Sequence, residues 1–215
     1  MRSRHLFFFL RLSVVHGMLT SLPTTAQIHA DPNAPADQRA TILQAGNGVP
    51  LVNIQTPSEA GVSRNSYRQF DVDSNGAILN NSRTDTHTQL GGWVSGNPWL
   101  AGGSARIILN EVNSTHPSHL NGWIEVAGSR AQVITANPAG ITCDGCGFIN
   151  AAQATLATGI PIMSRGSLDA YRISGGQVRI EGLGLDGRQA DALTILTRSA
   201  EINAGLWARR LKIVT

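Results

Sequence analysis

The segment Val133-Ile-Thr-Ala-Asn-Pro-Ala-Gly-Ile-Thr-Cys-Asp-Gly-Cys-Gly-Phe-Ile-Asn150 leaves a chain few ways to fold. Its apolar run from Val133 to Ala136 stops at Asn137-Pro138, where proline has no N–H for a sheet ladder and Asn-Pro favours a turn. Gly140 permits a positive φ, Ile141 restarts an apolar pattern, and Cys143 and Cys146 frame a second tight turn at Asp144-Gly145. The reading is strand, corner, strand, corner, with no room for a helix.

The same grammar runs along the chain. Leu51-Val-Asn-Ile54, Ala77-Ile-Leu79, Arg106-Ile-Ile-Leu109, Gly122-Trp-Ile-Glu-Val126, Gln177-Val-Arg-Ile180, Leu193-Thr-Ile-Leu196 and Leu211-Lys-Ile-Val214 are short and separated by polar or glycine-containing segments. Charged residues make up only 14% of the chain, against roughly 25% in an average globular protein. Lysine occurs once and glycine 23 times, so the chain reads as turns and short strands rather than solvated helices.

Strands at this spacing fit an all-β architecture, and a sandwich or barrel satisfies the spacing too. Two features favour the stacked coils of a parallel β-helix. Asparagine follows an apolar residue at Leu79-Asn80, Leu109-Asn110, Ile149-Asn150 and Ile202-Asn203, where stacked coils let side chains form ladders. From Gly175 to Thr215, period-2 alternation continues with few of the Asn-Gly turns expected of hairpins.

The N-terminus reads as an export signal, residues 1–26. Arg2 and Arg4 are its positive region, Leu6 to Leu10 with Leu12 to Leu19 its interrupted apolar region, and Thr24-Thr-Ala26 its cleavage site. A membrane anchor needs about 20 apolar residues, and this run is shorter. Residues 27–40 follow as a polar lead-in, and the domain proper is expected over 41–215. Of 17 basic residues three belong to the leader, which leaves 14 against 14 acidic ones. The mature chain is therefore neutral, and no run of basic residues marks a nucleic-acid binder.

Two cysteines in an exported chain suggest a disulfide between Cys143 and Cys146. The alternatives for Cys-x-x-Cys are zinc, which would need His116 and His119 as further ligands, and a redox motif, which wants a βαβ setting. Gly182-Leu-Gly-Leu-Asp-Gly187 matches a dinucleotide fingerprint, but the next segment alternates like a strand, so turn glycines explain it better. No G-x-S-x-G elbow anchors hydrolase chemistry, and no cofactor or metal is implied. Trp93, Trp123 and Trp207 read as packing residues, whereas Trp99 lies in a glycine-rich loop with recognition and packing equally open.

Several blocks together resemble the two-partner secretion domain of filamentous haemagglutinins and contact-dependent growth inhibition exoproteins. They are Gly48 to Ile54, Tyr67 to Val72, Ile78 to Asn81, Gln89 to Gly92, Arg106 to Val112, Asn137 to Asn150 and Ile202 to Ala208. The resemblance implies a right-handed parallel β-helix with a small extra-helical sheet and an N-terminal cap. It also implies a non-enzymatic role: Sec export, then recognition by periplasmic POTRA domains of a partner outer-membrane β-barrel. The chain would end secreted or at the cell surface. The family's two short motifs correspond to Asn97, Pro98, Trp99 and Leu100, and to Asn137, Pro138, Ala139, Gly140 and Ile141. Both depart at the third position, where the family has Asn. Family members continue into long repeats, so a chain stopping at Thr215 reads as having its last coils truncated. Alternative readings are an adhesive module meeting a host or neighbouring cell, a remnant of an inhibition toxin, or, least favoured, a polysaccharide-active β-helix enzyme.

Overall fold

Two long sheets, wound together by one chain, carry nearly all of the structure in a computed structural model that describes residues 28–215. The export signal lies outside the described residues. One sheet runs through strands Val62–Phe70, Ile107–Val112, Ala131–Ala136, Ala151–Ala157, Ala192–Leu196 and Leu211–Val214, each parallel to the next. The other runs through Pro50–Asn53, Ala77–Asn81, Trp123–Gly128, Ile141–Ile149 and Val178–Gly187, also parallel. Successive strands of the chain alternate between the sheets, which makes the domain a parallel β-helix.

The period-2 pattern explains the register. In the first sheet Ile108, Val133, Ala154 and Leu193 are partners in one column and enter the core between the sheets. In the second, Val52, Leu79 and Val126 do the same. A shift of one residue would turn each column outward, so burial fixes the pairing.

The outer faces are also covered. A hairpin of Thr86–Thr88 and Gly92–Val94 seats Leu90 and Val94 against Leu51, Ile78 and Ala127. A second hairpin, Ile160–Ser164 with Ser167–Arg172, seats Met163, Leu168 and Tyr171 against Leu109, Ile134 and Ala157. The extra-helical sheet is thus two separate hairpins, one per face. Antiparallel strands Ile28–Ala30 and Thr41–Gln44 close the N-terminal end, pairing with Val62–Phe70 and Pro50–Asn53. Residues 28–40 are therefore built into the fold, with Ile28 and Ala40 in its core, although their polarity reads as a lead-in.

Three of the four asparagines bond to a neighbouring coil, whereas Asn203 donates to Glu201 on its own coil. Asn80 donates to Asn53 Oδ1 at 2.8 Å on the neighbouring strand, and Asn110 accepts from the buried Tyr67 hydroxyl at 3.1 Å. Asn150 takes φ 56° at its corner and donates to the carbonyls of Val126 and Gly128. The Gly182–Gly187 pattern lies inside strand Val178–Gly187, and the next element is strand Ala192–Leu196.

Candidate functional site: two Asn-Pro corners

The corner at Asn97 follows the first hairpin and tightens into a 3-10 turn, Pro98–Leu100. Asn97 is buried and its side chain holds the corner from inside. Its Nδ2 donates to the carbonyls of Ile54 and Asn80, both at 2.9 Å, and its Oδ1 accepts from Trp99 N–H at 3.0 Å. Its carbonyl accepts from Leu100 N–H at 3.2 Å. Leu100 is fully buried and pins the far side of the turn.

The corner at Asn137 repeats this arrangement, with a serine hydroxyl in place of one carbonyl. Asn137 Nδ2 donates to His116 carbonyl and Ser118 Oγ, both at 3.0 Å, while Oδ1 accepts from Ala139 N–H at 2.9 Å. Gly140 N–H donates to the Asn137 carbonyl at 3.1 Å. Gly140 has φ 125°, a conformation side chains avoid, and a Cβ there would lie 3.2 Å from the Gln177 carbonyl. Ile141 then drops into the core.

Two neighbours of different sequence thus share one device: the first-position asparagine closes the turn, and the third residue supplies only a backbone N–H. The turn therefore makes no demand on the third side chain, and Trp99 and Ala139 both serve there. Five of the nine motif residues, Asn97, Leu100, Asn137, Gly140 and Ile141, are buried. Pro98 and Trp99 are exposed, and Pro138 and Ala139 are half-buried. Trp99 is 45% exposed, with its indole N–H donating to Thr41 Oγ1 at 3.2 Å and its carbonyl accepting from Thr56 Oγ1 at 2.8 Å.

The corners sit on different coils, and each meets a cavity beside the second hairpin, Pro138 as a lining residue and Trp99 through its bond to Thr56. A cavity of about 450 Å³ is lined by Thr56, Ser58, Arg64, Met163 and Gly166, among others, and Thr56 holds the Trp99 corner. A cavity of about 290 Å³ is lined by Glu111, Val112, Pro138, Ile160 and Pro161. Arg64 of the first and Glu111 of the second form an ion pair at 2.8 Å, so the two cavities adjoin. The hairpin is no motif in the sequence; its exposed Ile160 and Ile162 were the only signal. Burial against the sheet pushes the Tyr171 hydroxyl of this hairpin up to about 12.

The tryptophan reading needs correcting. Trp93 is 72% exposed and Trp207 46% exposed, because each points away from the core on its strand. Trp93 instead meets His87 edge-on, with centroids 5.8 Å apart. Trp123 packs over Gly147, as expected. Cys143 and Cys146 are joined by a disulfide buried inside strand Ile141–Ile149, and Asp144 in its turn accepts from Leu183 N–H at 2.7 Å on the next coil.

A family model of the TPS secretion domain matches residues 26–215. The chain belongs to this family. As a TPS domain it is similar to a "Toxin CdiA" of Yersinia pestis, 56% identical over 205 residues, covering 95% of this chain and 6% of that protein. It is also similar to a "tRNA nuclease CdiA" of Yersinia mollaretii, 51% identical over 82% of this chain and 6% of the relative. Among solved structures, the filamentous hemagglutinin secretion domain superposes with a TM-score of 0.71 at 34% identity, over 83% of this chain and 59% of that one. The TPS domain thus spans about 6% of the length of these CdiA relatives, and the nuclease names describe those whole proteins. The family and the fold point to a transport-recognition domain of the two-partner secretion type.

Proposed function

We propose that this domain is the address by which an exoprotein is recognised by a partner outer-membrane β-barrel, through that partner's periplasmic POTRA domains, after Sec export directed by residues 1–26. Recognition falls on the trough formed by the two cavities along the second hairpin, with Trp99 at one end and Pro138 at the other. The observation that carries this reading is that Pro138 of one motif lines a cavity, Thr56 bonded to Trp99 of the other motif lines a second, and the Arg64–Glu111 pair joins the two. The buried asparagines set the shape of the corners, and the exposed Pro98, Trp99, Ile160 and Ile162 supply apolar contact to a partner. The role is that of a binding module rather than an enzyme, and the protein ends outside the outer membrane.

The test is export of the intact chain into the medium, with and without its transporter, alongside binding of purified POTRA domains. Partner-dependent export, lost in a Trp99→Ala/Ile160→Ser variant that keeps its circular dichroism, is the expected result. Leu43→Ser, at an exposed residue of the N-terminal cap, should export normally. Export without the transporter, or export and POTRA binding unaffected by the trough substitutions, would overturn the assignment.

A further inference from the structure

The basic residues are scattered in sequence, one or two per coil, but the fold gathers several of them. Several coils pass from the second sheet to the first through a short corner. Arg130 stands between Trp123–Gly128 and Ala131–Ala136, Arg188 between Val178–Gly187 and Ala192–Leu196, and Arg209-Arg210 between Leu206–Ala208 and Leu211–Val214. Arg106 immediately precedes Ile107–Val112. The ladder partners Ile107, Gln132, Gln153 and Ala192 stack these corners in one line. At the usual strand separation, four steps from Arg106 to Arg210 make a ridge roughly 20 Å long.

The guanidinium groups are held along that ridge by bonds between coils. Arg106 Nη2 donates to the Ala60 carbonyl at 2.7 Å, and Arg130 Nη2 to the Ala151 carbonyl at 2.9 Å. Arg209 Nε donates to the Arg188 carbonyl at 2.8 Å, and Arg210 Nε to the Asp191 carbonyl at 3.1 Å. All five arginines are exposed. Asp186 pairs with Arg188 at 2.6 Å and Asp191 with Arg130 at 3.3 Å, while Glu59 lies near the Arg106 end. Arg106, Arg209 and Arg210 are steered by backbone carbonyls, which orient them without cancelling their charge.

Beside Arg106 the ridge borders a cavity of about 400 Å³, lined by Gln132, Gln153 and Ser167 as well as apolar Val62, Ile107 and Leu168. Amides and a hydroxyl over an apolar floor suit a sugar ring, which offers hydroxyls at its rim and C–H groups on its face. Guanidinium groups suit carboxylate or sulfate. We propose that this corner binds an anionic polysaccharide, one ring seated beside Arg106 and the following acidic groups meeting the arginine line. A nucleic acid shares the charge, but binding through its phosphates alone would not need the paired glutamines.

The test measures binding of the full chain to an oligogalacturonate, its methyl-esterified neutral form, and a DNA duplex of matched charge, at low and physiological salt. The acidic glycan should bind and the neutral one should not. Arg106→Gln/Arg210→Gln should weaken acidic-glycan binding by tenfold or more, and Gln132→Ala/Gln153→Ala should weaken glycan binding without changing any DNA binding. Absence of oligogalacturonate binding would overturn the proposal. So would DNA binding as tight as the glycan with the glutamine variant unaffected, which would leave only a cationic surface. Circular dichroism of each variant shows whether a loss reflects the site or the fold. The secretion role stands or falls separately, because the ridge residues and the trough substitutions do not overlap.

Discussion

Replacing Asn137 with alanine tests the claim that the first asparagine, not the third residue, builds the corner. Alanine removes bonds to His116 carbonyl and Ser118 Oγ and leaves the Ala139 N–H without its acceptor. At a net value of about 1 kcal/mol per hydrogen bond, three lost bonds cost about 3 kcal/mol. With a urea dependence of about 2 kcal/mol per molar, the unfolding midpoint should fall by about 1.5 M. Ala139→Asn, which installs the asparagine expected there from the resemblance, changes a half-buried side chain whose backbone alone is used, so its effect should stay within about 0.5 kcal/mol. Urea titration followed by far-UV circular dichroism and tryptophan fluorescence reads both. Agreement of the two probes checks that a stacked fold unfolds as one unit. An Asn137→Ala midpoint within about 0.3 M of the parent would refute the reasoning, since that is near the resolution of such titrations. An equal loss from Ala139→Asn would refute it as well.

Glu125 is buried on the outer face of the second sheet, and its carboxylate accepts from Gln89 N–H at 2.7 Å and Leu90 N–H at 2.8 Å. Glu125→Ala should therefore speed hydrogen exchange of those two amides by at least tenfold, because bonds to charged groups are worth about 1.5–3 kcal/mol; unchanged exchange would show the hairpin is held by Leu90 and Val94 alone. The two tyrosines should both resist ionisation at the ordinary pH of 10, Tyr171 titrating near 12 and Tyr67 not while folded. Because burial raises both above their unfolded values, the stability they lend is complete below pH 10 and lost as pH climbs past it, which an absorbance titration against urea stability will follow. Among the described residues Thr135 Oγ1 is buried without a hydrogen-bond partner, so Thr135→Val should raise stability by about 1 kcal/mol; a loss of that size would mean the hydroxyl is satisfied in solution.

The fold was legible because a β-helix repeats local rules. Alternation, turn glycines and the asparagines after Leu79 and Leu109 each mark a corner or a ladder, and the family blocks supplied the winding. What failed was outward direction. Trp93 and Trp207 sit in strand patterns, but a two-residue period cannot say which face is the core when both faces of a sheet carry apolar residues, as hairpins over the outer faces require. The hairpin at Ile160–Arg172 was illegible for a related reason. Its inward residues pack on an outer column, Leu109 and Ile134, whose own hydrophobicity reads as ordinary core. The arginine corner was hidden because neighbours in the stack, Arg106 and Arg130 or Arg188 and Arg210, lie 20 or more positions apart, and only the register aligns them.

The burial of the motifs changes what a secretion defect can mean. Asn97 and Asn137 each spend their whole side chain inside the protein, so a transporter cannot touch those amides without unfolding the corner. Loss of export on replacing either one would report a misshapen corner, and would look the same whether recognition were at that corner or across the molecule. Trp99 separates the two cases. Its side chain gives the fold one indole bond to Thr41, worth about 1 kcal/mol, and the residue is 45% exposed. A Trp99→Ala domain that keeps its urea midpoint within about 0.5 M and loses POTRA binding therefore places recognition at the corner itself. One that keeps binding confines the motif to shaping the fold, and moves recognition to the hairpin side of the trough.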